Sequence, residues 1–240
     1  MTAHDKNASV APGAGTDTAP DTPATTPASR DTPAVIVWRI SPDSDASADT
    51  TGNPDAGDNP LTARLARHLV KIYSDVHATV VDFDADPTLQ RAAEATGRTY
   101  STITDLSEAA PETQPSGPAA LILLRWPRPA TDEPGSDANS LLRRCQRHLA
   151  DHGSTIVVVT TIPPGTGGPS YRDHEQVLLP AARSAGLRHL HDIVPIDAVD
   201  GRDAFTYATG QRSARVTESG GPRQDGVTTL VVFGHRGRRP

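Results

Sequence analysis

One cysteine, one methionine and very few aromatic residues (4%) occur in this 240-residue chain. A single cysteine excludes an intrachain disulfide framework. Cys145 lies in the helical pattern "SLLRRCQRHLADHG" and reads as an interior thiol rather than a nucleophile. No apolar run approaches the roughly 18 residues of a membrane span. The N-terminus lacks the hydrophobic stretch of a secretory signal, so the cytoplasm is the expected location. A basic surplus is also missing: the net charge is −6, a poor match for nonspecific phosphate binding, which needs clustered Lys and Arg. Metal and hydrolase signatures are absent too. There is no G-x-S-x-G elbow, His174-Glu175 has no H-E-x-x-H partner, and "GTGGPS" lacks the Lys of a phosphate loop. His148 and His152 sit near an expected helix end. His189 and His191 alternate along an expected strand and so share a face. Neither pair is joined by a Cys or carboxylate cluster, and no metal is expected.

What is present falls into three parts. Residues 1–33 are mostly Ala, Thr, Pro, Asp and Ser, with no aromatic side chain. They cannot bury enough apolar surface to offset their ordering entropy, which predicts a disordered tail. Residues 236–240 form a basic tail. Between them, 34–235 reads as one domain, interrupted at 41–60 by a Pro/Gly/Asp/Ser loop expected to be flexible.

Within the domain, "PAVIVWRI" (33–40), residues 79–82, 98–106, "AALILLRW" (119–126), "STIVVVTTI", 188–197 and 226–235 read as strands. Helices are expected over 61–75, 88–96, 138–151 and 171–187, the last broken near Pro180. In the first helix Leu61, Leu65, Leu69 and Ile72 make one apolar stripe. Strands that are apolar throughout are those buried on both faces of a parallel sheet. The alternation predicts a three-layer, Rossmann-like α/β fold, mostly parallel. No long helix separates the final strands, which points to an antiparallel edge strand.

The stretch "NPLTARLARHLVKIYSDVHATVVDFDADPTLQRAAEATGR" carries a resemblance. Asn59-Pro60, Arg67, Tyr73-Ser74, Val80-Val81-Asp82, Thr88, Ala92-Ala93 and Gly97-Arg98 match the order "P-x-x-L-x-x-R-x-I-x-x-Y-S" followed by "V-L-D-P-F-x-G-S-G-T-T-L-x-A-A-x-x-x-G-R". Val37-Trp38 ahead of it, "LLRRCQRHLADHGSTIVVV", "LLPAARSAGLRHLHDIVPI" and "TTLVVFGHRG" extend the likeness over about 35 to 235. This pattern resembles the class I S-adenosylmethionine-dependent methyltransferases, and among them the bacterial DNA methylases of the cytosine-N4/adenine-N6 type. The resemblance implies a methyltransferase fold, S-adenosylmethionine as cofactor and DNA as an ancestral partner. It places cofactor-binding candidates at Asp82, Phe83, Asp84, Ala85 and Asp105, the last near the end of the second strand. Substrate-binding candidates fall at Arg125, Trp126 and Pro127.

The departures from that pattern fall on the chemistry. Where the family has a glycine-rich turn against the cofactor's methionine, this chain has Phe83-Asp84-Ala85-Asp86-Pro87. A Cβ blocks close backbone approach and resists positive φ, and two carboxylates repel a cofactor carboxylate. Where the family has D/N/S-P-P-Y/F/W, this chain has Arg125-Trp126-Pro127-Arg128, and arginine cannot accept a hydrogen bond from an amino group. "TTIPPG", with Thr161, Pro163 and Pro164, has the diproline without the aromatic. Two functions follow as expectations. The first is a catalytically degenerate methyltransferase-fold protein serving as a binding or regulatory module, with cofactor binding weak or lost and no catalytic residue. The second is an active methyltransferase with a non-standard cofactor loop.

Overall fold

The computed structural model describes residues 33–41, 61–103, 117–128, 137–162, 167–198, 204–208 and 227–235. All of them lie in one compact unit, Thr32–Pro240. The expected tail 1–33, apart from residue 33, and the expected tail 236–240 fall outside these residues. So do 42–60 of the expected loop, Asp105, Pro163 and Pro164.

Twelve elements follow one another: β1 (Ala34–Ile40), α1 (Ala63–Tyr73), β2 (Thr79–Asp82), α2 (Pro87–Ala95), β3 (Thr99–Thr102), β4 (Ala119–Trp126), α3 (Ala138–His148), β5 (Leu149–Thr161), α4 (Tyr171–Ser184), β6 (Leu187–Asp197), β7 (Ala204–Ala208) and β8 (Val227–His235). They build one eight-stranded sheet in the order β3-β2-β4-β5-β8-β6-β1-β7. Strands β1 to β6 run parallel to one another. β7 lies antiparallel on β1 at the edge, and β8 runs antiparallel between β5 and β6. The architecture is therefore the three-layer, mostly parallel α/β fold that the alternation predicts, with its antiparallel edge strand. The second reversed strand, β8, is interior.

The two helical layers bury separate cores. Leu65, Leu69 and Val70 of α1 and Leu89 of α2 pack with Val80, Leu121, Leu123, Val158 and Leu230 on one side of the sheet. Leu141, Leu142 and Cys145 of α3 and Leu178 and Ala182 of α4 pack with Val81, Ile122, Leu124, Val157 and Val231 on the other. Each fully buried Leu or Val contributes about 1.5–3 kcal/mol of transfer free energy. Side chains close every helix start. Thr62 accepts from the Leu65 N–H, Asp86 from Thr88, and Asp137 from Asn139 and Ser140, while Ser170 and Asp173 form a capping box.

Several expectations change. The helix beginning at 138 ends at His148, and residues 149–153 already belong to β5. Gly153 is not a helix stop: a Cβ there would lie 2.6 Å from the Ala119 carbonyl oxygen, so glycine lets β5 lie against β4 at a register shift. α4 runs unbroken through Pro180, which sits on its exposed side, where the carbonyl that loses its partner faces water. Strand β7 was not anticipated. Finally, His189 and His191 do not share a face. Pairing with β8 shifts between them, leaving Leu190 as an extra residue. His189 then packs on Phe233, while His191 turns to the other layer and hydrogen-bonds the Tyr73 hydroxyl at 2.7 Å.

Candidate functional site

The chain leaves β2 through α2 to reach β3 on one side, and returns to place β4 on the other side of β2. At such a reversal the loops beyond the carboxyl ends of the two strands diverge, and open α/β sheets bind ligands there. Here the ends are Asp82 of β2 and Arg125-Trp126 of β4.

Asp82 is fully buried. One carboxylate oxygen accepts from the Asp84 N–H at 2.8 Å; the other accepts from the Asp86 N–H at 2.6 Å and from the Tyr100 hydroxyl at 2.8 Å. The carboxylate thus folds the loop back on the strand that precedes it. Burial pushes its pKa above the ordinary range, and the three donors oppose that shift. Burial and the Asp82 charge also push the Tyr100 hydroxyl far up, so it stays a donor. The bend requires a left-handed residue, and Ala85 takes it at φ 51°, a conformation more natural to glycine.

The next two carboxylates cross to β4. Asp84 accepts from the Arg125 N–H at 2.6 Å and from the Arg128 guanidinium at 2.7 Å. Arg128 also donates to the Phe83 carbonyl at 3.0 Å. Asp86, almost fully buried, caps α2 through the Thr88 N–H and pairs with the Arg125 guanidinium. Burial raises the Asp84 carboxyl, against the pull of both arginines. Loop and strand end are thereby stitched together by alternating charge across the divergence of β2 and β4.

The candidates named from the sequence therefore divide. Asp82, Asp84, Ala85 and Arg125 converge at the strand ends. Phe83 turns away and is buried in the core beneath α3 and α4. Trp126 packs against the same core, and its indole N–H donates to His174 Nδ1 of α4 at 3.2 Å. Pro127 is exposed and follows a cis peptide bond. Thr161, in the rival motif, donates its hydroxyl to the Val227 carbonyl. Sequence reasoning did not single out Tyr100 or the pairing role of Arg128, and it weighed His174 only as half of a metal motif. The count of two arginines facing two aspartates was the available signal.

Chemically, this arrangement is a buried ion-pair and hydrogen-bond lattice. The two carboxylates nearest α2 are directed at donors of the chain itself. Among the described residues no three His, Cys, Asp or Glu side chains come together as metal ligands would. No described helix is long and apolar enough to cross a membrane.

No family model matches the chain, and no curated protein matches it. Solved structures do. A TehB-like SAM-dependent methyltransferase from Corynebacterium glutamicum is 14% identical, with 76% of this chain and 92% of that one covered, at a TM-score of 0.38. LepI, solved as a complex with SAM, is 15% identical over 71% of this chain, at a TM-score of 0.37; the match spans only 40% of LepI. The pyocyanin biosynthetic protein PhzM is 12% identical over 71% of this chain and 54% of its own, also at 0.38. Likeness this distant bears on neither the ligand nor the activity of this chain.

Proposed function

We propose that this protein is a degenerate member of the S-adenosylmethionine-dependent methyltransferase fold, related to DNA methylases of the amino-modifying type, that works as a binding or regulatory module rather than as a transferase. One observation carries the reading: the residues at the strand divergence do not fit the methionine end of the cofactor. An anionic, backbone-hugging ligand needs a bare turn and free donors there. Instead, Asp84 and Asp86 take the Arg125 N–H and the Arg125 and Arg128 guanidiniums, Asp82 takes the loop's own N–H groups, and Ala85 carries a Cβ at the tightest point. A ligand carboxylate brought to this lattice meets like charge in a low-dielectric setting. At β4 the position of an amino-group acceptor is Arg125, which only donates. No methyl-transfer step is assigned to any residue. A role with DNA rests on the resemblance alone.

Calorimetric titration with S-adenosylmethionine tests the reading. The expected result is no saturable heat at cofactor concentrations up to about 1 mM. Binding in the micromolar range, lost in Asp82→Ala, would establish instead an active-type site with a non-standard loop.

A further inference from the structure

The His174–Trp126 contact lies beside the strand-end lattice but takes no part in it. Indole N–H groups only donate, so the bond from Trp126 requires a bare, unprotonated His174 Nδ1. The neutral ring therefore carries its proton on Nε2. That nitrogen is buried and has no hydrogen-bond partner among the described residues. The residue is 6% exposed, on the inner face of α4, the fourth residue from the helix's positive end.

A second proton has one place to go, Nδ1, and arriving there it sets two N–H groups against each other. Unlike a hydroxyl, the indole cannot reverse the bond. The imidazolium would then be a buried cation without an acceptor, near a helix N-terminus, which is unfavourable unless something moves.

The charged groups around it do not relieve this. Asp173, whose charge favours a proton on the ring, is engaged at the exposed cap, accepting from the Ser170 N–H and hydroxyl. On α4, Glu175 and Tyr171 are turned towards Asp192 and His189 of β6, and Arg172 is exposed. On β4, Arg125 and Arg128 are paired with Asp86 and Asp84. On α3, which packs against α4, Cys145 stays a neutral thiol.

We propose that His174 and Trp126 form a proton-operated latch that fastens the first turns of α4 to the end of β4, and that mild acid releases it while the sheet stays folded. The device goes beyond the binding-module reading and does not depend on whether a cofactor binds. Burial holds the His174 imidazole below its ordinary value, so release falls on the acid side of pH 6.5.

The chain has two tryptophans, and Trp38→Phe leaves Trp126 as sole reporter. Fluorescence and acrylamide quenching are followed from pH 7.5 down to about 5, with far-UV circular dichroism alongside. The expected result is a reversible red shift and at least a twofold rise in quenching while the dichroism stays constant. In His174→Gln, whose side-chain oxygen accepts from the indole but does not titrate, both readings should stay flat. The Trp126 indole N–H resonance of the unmutated chain reports the same event if Trp38→Phe does not fold. A flat response in the unmutated chain, an unchanged shift in His174→Gln, or a shift coinciding with loss of secondary structure would each overturn the latch.

Discussion

Asp82 is a charge without surrounding water, and the solvation it lost is replaced by the N–H groups of Asp84 and Asp86 and by the Tyr100 hydroxyl. Asparagine at this position keeps the shape but supplies one acceptor oxygen, and its amide protons point at donors. Leaving buried donors unpaired costs about 1–3 kcal/mol each, so Asp82→Asn should lower unfolding free energy by about 2–4 kcal/mol in a denaturant titration. Tyr100→Phe removes one donor only and should cost about 1–2 kcal/mol. Ala85 offers the opposite case. A left-handed residue with a Cβ costs about 1–2 kcal/mol, partly offset by glycine's larger unfolded-state entropy. Ala85→Gly should therefore raise the thermal midpoint by a few degrees, and a lowered midpoint would mean the loop is not strained at this bend.

At the scale of elements, β6 shows how one inserted residue redirects chemistry. Strict alternation along His189-Leu190-His191-Asp192 puts His189 and His191 on one face and Asp192 on the other. The extra residue puts His189 and Asp192 on the α4 side, bonded at 2.7 Å, and sends His191 to Tyr73 of α1. Gly234 of β8 accommodates the insertion, since a Cβ there would come 2.9 Å from Leu190 Cδ1. Overpacking of this kind typically costs about 1–3 kcal/mol, so Gly234→Ala should destabilise by that order in chemical denaturation. A silent substitution would show that Leu190 simply turns aside. Such insertions are invisible to periodicity, and so was strand β7. Residues 79–82 and 119–126, by contrast, were legible to the residue, because strands buried on both faces carry unbroken apolar runs. α1 was legible within two residues at either end; Leu61, Leu65 and Leu69 of its expected stripe are buried, but Ile72, read on the same stripe, is exposed. The start of β5 was not, because Leu149-Ala150-Asp151-His152-Gly153 continues the helical pattern and ends on a glycine like a helix terminus. The strand-end aspartates were legible as candidates. Their pairing with Arg125 and Arg128 was not, since partners some forty residues apart meet only once the sheet is ordered.

Across the whole molecule, charge is unevenly divided. The first 60 residues hold 3 basic and 9 acidic residues, whereas residues 61–240 hold 20 of each. The acidity that argues against anionic partners therefore belongs to the N-terminal quarter, and residues 61–240 are formally neutral. Global pH dependence consequently turns on individual buried groups rather than on net repulsion. His191 is held below its ordinary value of 6.5, chiefly by burial and also by the neighbouring His189, against the pull of Asp192. A histidine depressed in the folded state contributes stability above the unfolded value, and that contribution is lost as pH falls through the folded one. The raised carboxyls of Asp82, Asp84 and Glu175 act in the opposite sense, favouring the fold when protonated. Total stability therefore mixes two trends, and the histidine is isolated only by difference. His191→Gln keeps a partner for the Tyr73 hydroxyl without titrating. The unmutated chain should exceed this variant in unfolding free energy by a constant amount above pH 6.5, with the margin shrinking steadily as the pH is lowered below it. Urea titrations of both chains at half-unit intervals of pH measure that margin. A margin independent of pH would mean that His191 is as well solvated in the fold as out of it.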